Sequence, residues 1–308
     1  MKVYRSSSTF PASVKNPVVA LGNFDGVHQA HQKMFKLASR EAKRVKGRAV
    51  AYTFDPHPVK VLSQVAAPPM INTLEQKLEL MAQTGLDAAV VEPFDLKFAH
   101  LGAEEWFRKI LIKRLHAVGV VVGYDFTFGS RRSGTVEVLE RLCAEAGVFC
   151  RVLEAQLEGE ALISSTQIRA FVAKGEVEYA APLLGRRFFV DGAVIRGAGR
   201  GAGLGFPTAN LKTENELLPA TGVYACFVQV GRKKYRAVAN LGQNPTFGGS
   251  ALSLEAHLLH FKGNLYGKKL RLHFVKRLRE ERSFASAAEL VQQIRADIRQ
   301  AQEILANA

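Results

Sequence analysis

The sequence predicts an α/β domain built on a parallel sheet, followed by an antiparallel β-barrel domain with a C-terminal helix. Up to about residue 182, short apolar runs alternate with helical patterns, which is typical of a parallel sheet with helices on both faces. Beyond residue 184, short strand-like runs are separated by turns, as in a compact barrel. An amphipathic pattern after residue 286 predicts the terminal helix.

The predicted elements follow this change of rhythm. Predicted strands of the first part lie at residues 18–21, 48–54, 88–91, 118–122 and 148–153. Helical patterns lie between them at residues 30–45, 74–84, 103–115 and 135–146. In the second part, predicted strands lie at residues 188–195, 222–230, 235–241, 252–261 and 269–278. The change near residues 175–186 divides the chain into predicted domains 1–182 and 183–308.

The terminal helix has a clear start signal. Ser286 and Glu289 have the spacing of a capping box. Apolar residues then recur on one side of the helix, at Leu290, Val291, Ile294, Ile298 and Leu305. We interpret this stripe as core packing in preference to a partner surface.

Composition indicates a globular protein with two domains. The chain has 308 residues, of which 47% are hydrophobic and 23% are charged. Its three cysteines are odd in number and lack CxxC spacing, which predicts the reducing cytoplasm. No apolar stretch reaches about 18 residues and no signal core follows Lys2 and Arg5. We therefore expect neither a membrane span nor export.

Positive charge is concentrated in the second part. The net charge is +14, with +4 in residues 1–185 and +10 in residues 186–308. A basic domain can bind nucleic acid, but no helix-turn-helix, zinc-finger or RNP pattern accompanies this one. Attraction of anionic small molecules, or solubility, explains the excess more simply. We expect no nucleic-acid partner.

Residues 19–32, with the sequence VALGNFDGVHQAHQ, predict a nucleotide site. A buried strand leads into a tight turn containing Gly22 and Asn23, and a helix follows from His28. His28 and His31 then share a face at the positive end of the helix, where they can donate hydrogen bonds to phosphates. The pattern resembles the HxGH signature of nucleotidyltransferases, with Ala30 in place of glycine.

Two other interpretations of this segment remain. The histidines could be a satisfied core pair or a surface coincidence, whereas a zinc site is disfavoured because no Cys or further His lies nearby at ligand spacing. Asp25 could orient a histidine or approach Mg²⁺. It could equally be a turn residue that stabilises its own loop.

Residues 163–169, with the sequence ISSTQIR, offer a second set of phosphate ligands. They open a short amphipathic helix, and their hydroxyls, N–H groups and guanidinium suit anions. The candidate phosphate-binding residues are Ser164, Ser165, Thr166 and Arg169. The alternative is an ordinary helix N-cap. This segment, the histidine turn and residues 54–55 all follow apolar runs, so we expect them to meet at the carboxyl edge of one sheet.

Residues 197–211, with the sequence GAGRGAGLGFPTANL, carry an unrelated phosphate signature. Closely spaced glycines, among them Gly199, Gly201, Gly203 and Gly205, let main-chain N–H groups turn toward an anion. No Gly-Lys-Ser/Thr follows, so this is not a Walker loop. A flexible linker is the alternative. The linker interpretation is disfavoured because Pro207 fixes a bend in the chain. Thr208 and Asn210, which follow this bend, can then present two oxygen ligands to Mg²⁺.

Both signatures, in this order, resemble the bifunctional prokaryotic riboflavin kinase/FAD synthetase family. Further matches are FDPHP at 54–58, GYDFTFG at 123–129, GVYA at 222–225, NLGQNPTF at 240–247 and LEAHLL at 254–259. Two positions depart from the family pattern: Ala30 replaces the usual glycine, and Gln167 stands where Arg or Lys is common.

The resemblance implies a Rossmann-like nucleotidyltransferase domain, and then a riboflavin kinase barrel. It implies that the substrates are ATP, riboflavin and FMN, that Mg²⁺ is the cofactor, and that FMN and FAD are products. It also implies that Thr208 and Asn210 bind Mg²⁺, that residues 197–205 close over phosphate, and that Glu255 is the catalytic base. By strand alternation, Glu255 shares a face with His257. From the pattern alone, this face would be solvated.

Flavin contacts are predicted at Asp125, Phe126 and Phe128, with core packing as the alternative for the two phenylalanines. Two rival functions remain: a riboflavin kinase whose transferase site is weakened, and a flavin- or nucleotide-binding regulator without turnover. Retention of Glu255 and the two histidines argues against the regulator. The sequence leaves the oligomeric state open.

Overall fold

The computed structural model describes residues 1–63, 67–197, 200–243 and 252–308. The chain forms two compact units, Met1–Ser164 and Ser165–Ala308.

The first unit is built on a six-stranded parallel sheet with the order β1-β4-β3-β2-β5-β6. Its strands are β1 Lys2–Tyr4, β2 Pro17–Leu21, β3 Arg48–Asp55, β4 Ala88–Pro93, β5 Gly119–Gly123 and β6 Phe149–Leu153. All five residues of β2 are buried, because helices cover a parallel sheet on both faces. A two-stranded hairpin follows, with β7 Leu157–Glu158 and β8 Ala161–Leu162.

Helices pack on both faces of this sheet. They are α1 Gln29–Arg44, α2 Pro58–Leu62, α3 Leu74–Ala82, α4 Leu96–Ala99, α5 Ala103–Trp106, a π-helix Phe107–Arg114, and α6 Val136–Glu145, with 3₁₀ turns at Ser7–Thr9 and Ser130–Arg132. Helix α1 contacts β2, β3 and β5. On the opposite face, Ile110 and Leu111 of the π-helix share a core with Val19 and Val50. The predicted parallel α/β layering is confirmed.

The predicted strands and helices of this unit lie within two residues of observed ones, but the short elements β1, α2, α4, β7 and β8 were not predicted. Strand β1 is only three residues long, too short for alternation to reveal it. The predicted helix 103–115 changes from α to π geometry after Trp106. There, the N–H of Leu115 donates to the carbonyl of Ile110, five residues back. The apolar pattern of this segment predicts a helix, but it does not indicate whether the helix has α or π geometry.

The second unit is a closed antiparallel barrel of six strands with the order β10-β13-β12-β11-β14-β9. The strands are β9 Phe189–Ile195, β10 Ala209–Thr213, β11 Gly222–Val230, β12 Lys233–Gln243, β13 Leu252–Leu258 and β14 Lys269–Arg279. Helices α7 Ser165–Lys174 and α8 Val177–Leu184 precede the barrel, α9 Arg200–Gly203 lies in the glycine-rich segment, and α10 Ala287–Ala306 follows the last strand. The barrel and the terminal helix are confirmed. Strand β10 is a sixth strand that the sequence analysis interpreted only as a ligand-binding segment.

Helix α10 is held to the barrel by an ion pair with the buried Asp297 and by an apolar contact. Arg279 of β14 donates to both carboxylate oxygens of Asp297, with a shortest distance of 2.8 Å. Ala301 and Leu305 pack against Ala225 of β11. The capping box differs from expectation in one bond. The Ser286 hydroxyl accepts from the Glu289 N–H, but the Glu289 carboxylate accepts from Ala285, one residue before the N-cap.

Helix α8 gives a stability prediction. It packs against α7 and β14 and buries Val177, Ala180, Leu183 and Leu184. A fragment of residues 183–308, cut at the boundary expected from the sequence, loses α7 and all of α8 except Leu183 and Leu184. We expect its Tm to lie at least roughly 10 °C below that of fragment 165–308, because apolar burial worth about 3 kcal/mol is lost. Equal Tm values in thermal circular dichroism would contradict this.

Candidate functional site

The histidine turn lies at the carboxyl end of β2, in the middle of the parallel sheet. Between β2 and α1, Phe24, Gly26 and Val27 all have positive φ values, of 53°, 83° and 41°. Such values are costly for a β-branched residue. At Gly22, an added Cβ would lie 2.8 Å from the Phe24 ring. The turn is therefore strained and tightly packed. This agrees with the tight turn that the sequence predicts at Gly22.

His28 and His31 lie directly against each other. Their rings are stacked with centroids 3.5 Å apart and an interplanar angle of 17°, and the rings of Phe24 and His31 form a T-shaped pair with centroids 5.2 Å apart. His28 is the buried N-cap of α1, and its Nδ1 accepts from the His31 N–H at 3.4 Å. With Nδ1 as acceptor, a neutral His28 ring carries its proton on Nε2, where it can donate to an anion.

Asp25 anchors a neighbouring segment, a role that the sequence analysis missed. Its buried carboxylate accepts from the N–H of Ile71 at 3.1 and 3.2 Å and from the N–H of Asn72 at 3.4 Å. These residues directly precede α3. Asp25 therefore ties the histidine turn to the start of that helix.

Lys77 on α3 is a second residue that the sequence analysis missed. Its side chain is buried, and its ammonium donates to the main-chain carbonyls of Asn23 and Phe54 and to the hydroxyl of Thr53. Desolvation lowers the pKa of Lys77 to about 8, although Asp25 and Asp55 partly oppose this shift. A lysine in an amphipathic helix normally indicates an exposed face, so no signal in the sequence separates it from the others.

The predicted flavin contacts follow β5. Phe128 is buried and packs against Trp106 with centroids 5.2 Å apart. Phe126 is half-buried and stacks on Phe128, and Asp125 is exposed. Core packing thus accounts for Phe128, whereas Phe126 and Asp125 are accessible. A flavin role for all three stays a prediction.

The predicted phosphate ligands at 163–169 fall on both sides of the division between the units. Ser164 ends the first unit. Ser165 and Thr166 lie in the first turn of α7, and Arg169 follows one turn later. Ile168 and Val172 are buried, which agrees with the predicted amphipathic helix. Their phosphate role stays a prediction.

In the barrel, Glu255 and Thr208 contact each other. The Thr208 hydroxyl donates to the Glu255 carboxylate at 2.9 Å, and the Ser253 hydroxyl donates to its other oxygen at 3.4 Å. Asn210 lies directly opposite Glu255 on β10, and Asn240 lies opposite it on β12. Directly opposite residues share a face of a sheet. The sequence analysis did not assign a role to Asn240.

Glycines let the preceding segment approach these residues. An added Cβ at Gly197 would lie 2.1 Å from the amide nitrogen of Asn210, and one at Gly201 would lie 2.5 Å from the carbonyl oxygen of Phe206. Gly203 and Gly205 have open space, and Gly205 has a φ of +87°. Gly199 lies outside the described residues. The glycine-rich segment is therefore packed against Asn210 at one point, which a free linker would not be.

Two family models match the chain. One, described as FAD synthetase, covers residues 11–167, and the other, described as riboflavin kinase, covers residues 184–305. A bifunctional riboflavin kinase/FMN adenylyltransferase from Escherichia coli (strain K12) is 35% identical over 91% of this chain and 90% of its own length. One from Bacillus subtilis (strain 168) is 37% identical over 94% of this chain and 93% of its own length. The chain belongs to this family.

The family membership confirms the resemblance inferred from the motifs. The FAD synthetase match contains both histidines of the turn, and the riboflavin kinase match contains Thr208, Asn210 and Glu255. A solved structure described as a macrolide-efflux protein from Streptococcus pneumoniae also has the same fold. Its TM-score is 0.89 at 31% identity, over 97% of this chain and 98% of that chain. Within the residues described for this family member, no helix is long and apolar enough to cross a membrane.

Ala30, where the family usually has glycine, gives a further prediction. It is the second residue of α1, between the two histidines, and is half-buried. We expect Ala30→Gly to change FAD formation from FMN and ATP by no more than about tenfold, because a methyl group costs little at this helical position. A wild type that makes no FAD, together with strong restoration by Ala30→Gly, would favour the weakened-transferase alternative.

Proposed function

We propose that this chain phosphorylates riboflavin to FMN and then transfers an adenylyl group from a second ATP to FMN, forming FAD and pyrophosphate. The observation that carries the proposal is that one chain holds two separate site geometries. One is the stacked histidine pair after β2, and the other is the Thr208–Glu255 hydrogen bond on the barrel. Each lies in the segment that matches the corresponding family model.

In adenylyl transfer, a phosphate oxygen of FMN attacks the α-phosphate of ATP, and the bond to the β-phosphate breaks as pyrophosphate leaves. The attacking phosphate is already ionised, so the protein needs no strong general base. Its task is to orient the phosphates and to offset negative charge. We propose that His28 and His31 do this from the start of α1. We expect Gly22, Asn23, Ser164, Ser165, Thr166 and Arg169 to bind phosphates.

In riboflavin phosphorylation, the primary hydroxyl of riboflavin attacks the γ-phosphate of ATP, and the bond from the γ-phosphorus to the oxygen that bridges it to the β-phosphate breaks as ADP leaves. We propose that Glu255 accepts the proton of this hydroxyl. The hydrogen bond from Thr208 orients the carboxylate on the outward face of β13, whose alternate residues Leu254 and Ala256 are buried. We expect main-chain groups at Gly201, Gly203 and Gly205 to contact phosphate.

We propose that Mg²⁺ is held by Thr208 and Asn210, beside Glu255. Hydroxyl, amide and carboxylate oxygens form the all-oxygen donor set that this hard cation prefers. Thr208 donates to the Glu255 carboxylate and Asn210 lies directly opposite Glu255, so these oxygens are close to one another on the barrel. When bound, Mg²⁺ offsets the charge of the transferring phosphoryl group.

The products formed from riboflavin and MgATP test this function. We expect the purified protein to make FMN and then FAD, which chromatography resolves by their retention and fluorescence. FMN without FAD would indicate a weakened transferase. Flavin binding without either product would indicate a non-catalytic regulator. We further propose that the protein acts in the cytoplasm and has no nucleic-acid partner.

A further inference from the structure

The buried ammonium of Lys77 joins the ends of two strands beside the histidine turn. Its acceptors are the Asn23 carbonyl at 3.3 Å, the Thr53 hydroxyl at 3.1 Å and the Phe54 carbonyl at 3.3 Å. Asn23 follows β2, and the other two acceptors lie at the end of β3. The Thr53 hydroxyl itself donates to the Asn23 carbonyl at 2.9 Å. The three donors of the ammonium therefore match three oxygens.

The position of Lys77 is fixed from both sides. Helix α3 begins with a complete capping box formed by Thr73 and Gln76, directly before Lys77. The segment ahead of this helix is held to the histidine turn by Asp25, which accepts from Ile71 and Asn72. Two links of opposite chemistry thus connect α3 to the turn: a carboxylate that accepts main-chain hydrogen bonds and an ammonium that donates them.

A buried lysine is uncommon because burial of its charge is costly. A neutral residue at this site would remove the ammonium donor from the Phe54 carbonyl and would leave the Asn23 carbonyl with only the Thr53 hydroxyl as a side-chain donor. We propose that Lys77 is a positioning residue for adenylyl transfer, which holds the end of β2, and hence His28 and His31, in place through its charged ammonium. This inference rests on the proposed transferase function and goes beyond it.

Because the proposed role depends on the charge of Lys77, it predicts a specific pH dependence of adenylyl transfer. A role in folding alone does not predict this pH dependence. A neutral amine has only two N–H donors, so deprotonation removes one of the three hydrogen bonds. The carboxylates that act on this group are Asp25 and Asp55. Because the pKa of Lys77 is lowered to about 8, adenylyl transfer should decline as the pH rises above this value.

The same titration affects folding with the opposite sign. The unfolded lysine has a pKa near 10.5, so between about pH 8 and 10.5 the unfolded chain holds a proton that the folded chain has released. The contribution of Lys77 to stability therefore increases with pH over this window. A decline in activity at alkaline pH cannot then result from loss of the fold through this residue.

The experiment compares Lys77→Met and Lys77→Arg with the wild type, using FMN and MgATP between pH 7 and about pH 9.5. We expect Lys77→Met to lower kcat for FAD formation by about 10- to 100-fold, as misplacement of reacting groups does, with a smaller change in KM for ATP. Riboflavin phosphorylation by the same protein should stay within about twofold. Lys77→Arg should retain more activity and should lack the alkaline decline near pH 8, because arginine stays charged.

The control is Lys36→Met, which alters an exposed lysine on α1 and should leave both activities unchanged. Normal FAD formation by Lys77→Met across this pH range would overturn the proposal, as would an alkaline decline in Lys77→Arg identical to that of the wild type. If Lys77→Met fails to fold, the comparison of wild type with Lys77→Arg still decides. Absence of FAD formation by the wild type would instead contradict the transferase function itself.

Discussion

Glu255→Gln should lower the rate of FMN formation from riboflavin by about two to four orders of magnitude, the usual contribution of a general base. The glutamine side chain has the same shape and can still accept the hydrogen bond that Thr208 donates at 2.9 Å. It cannot take up the proton of the riboflavin hydroxyl. The measurement is single-turnover FMN formation, with FAD formation from supplied FMN as the internal reference.

A matched control distinguishes loss of the proton acceptor from the loss of one negative charge on the same unit. Glu280 is a carboxylate of the same unit with a side chain that is 83% exposed, and Glu280→Gln should retain FMN formation. Near-normal activity of Glu255→Gln would remove Glu255 from the mechanism. Equal loss of FMN and FAD formation would indicate misfolding or a site shared by both reactions.

His28→Asn should lower FAD formation from FMN and ATP by about 10²- to 10³-fold, the usual cost of removing one donor that stabilises transition-state charge. Asparagine is among the preferred N-cap residues, so it can replace the Nδ1 interaction with the His31 N–H. It lacks the second ring nitrogen that would reach a phosphate. The effect should appear in kcat, with α1 still folded.

The riboflavin kinase activity of the same chain reports whether His28→Asn harms the protein generally. His100→Asn, at an exposed histidine of the same unit, is the matched control and should leave FAD formation unchanged. If His28→Asn retains FAD formation within about threefold while folded, the ring is not a phosphate donor and serves only as a cap.

The spacing of apolar residues in the sequence predicted most of this fold, because the buried residues of a strand or helix recur with the period of that element. Strand β11 coincides with the prediction at 222–230, and β13 buries Leu254, Ala256 and Leu258 on alternate positions. Elements without such a period were missed. Strand β10 begins inside the PTAN segment, where ligand chemistry was the stronger signal, and α8 contains Pro182, which normally argues against a helix.

The candidate sites were predictable where a residue type itself suggests chemistry. Two histidines one helical turn apart and a Thr-x-Asn segment after glycines are informative on their own. The roles of Asp25 and Lys77 were not predictable, because both depend on main-chain atoms of distant segments. Asp25 accepts from N–H groups 46 and 47 residues away, and Lys77 donates to carbonyls 54 and 23 residues away. Nearly every residue has a main-chain N–H and carbonyl, so the residue type of such a partner does not indicate the hydrogen bond.

The barrel and the six-stranded parallel sheet differ in whether they have edge strands with which another chain could pair. The barrel closes on itself through the pairing of β9 with β10, so its ring of strands presents no unpaired edge. The parallel sheet does have edges, at β1 and β6. Strand β1 is three residues long and begins with Lys2, and β6 carries an exposed Arg151. Short, charged edges disfavour addition of a foreign strand, which protects this unit from aggregation through its sheet.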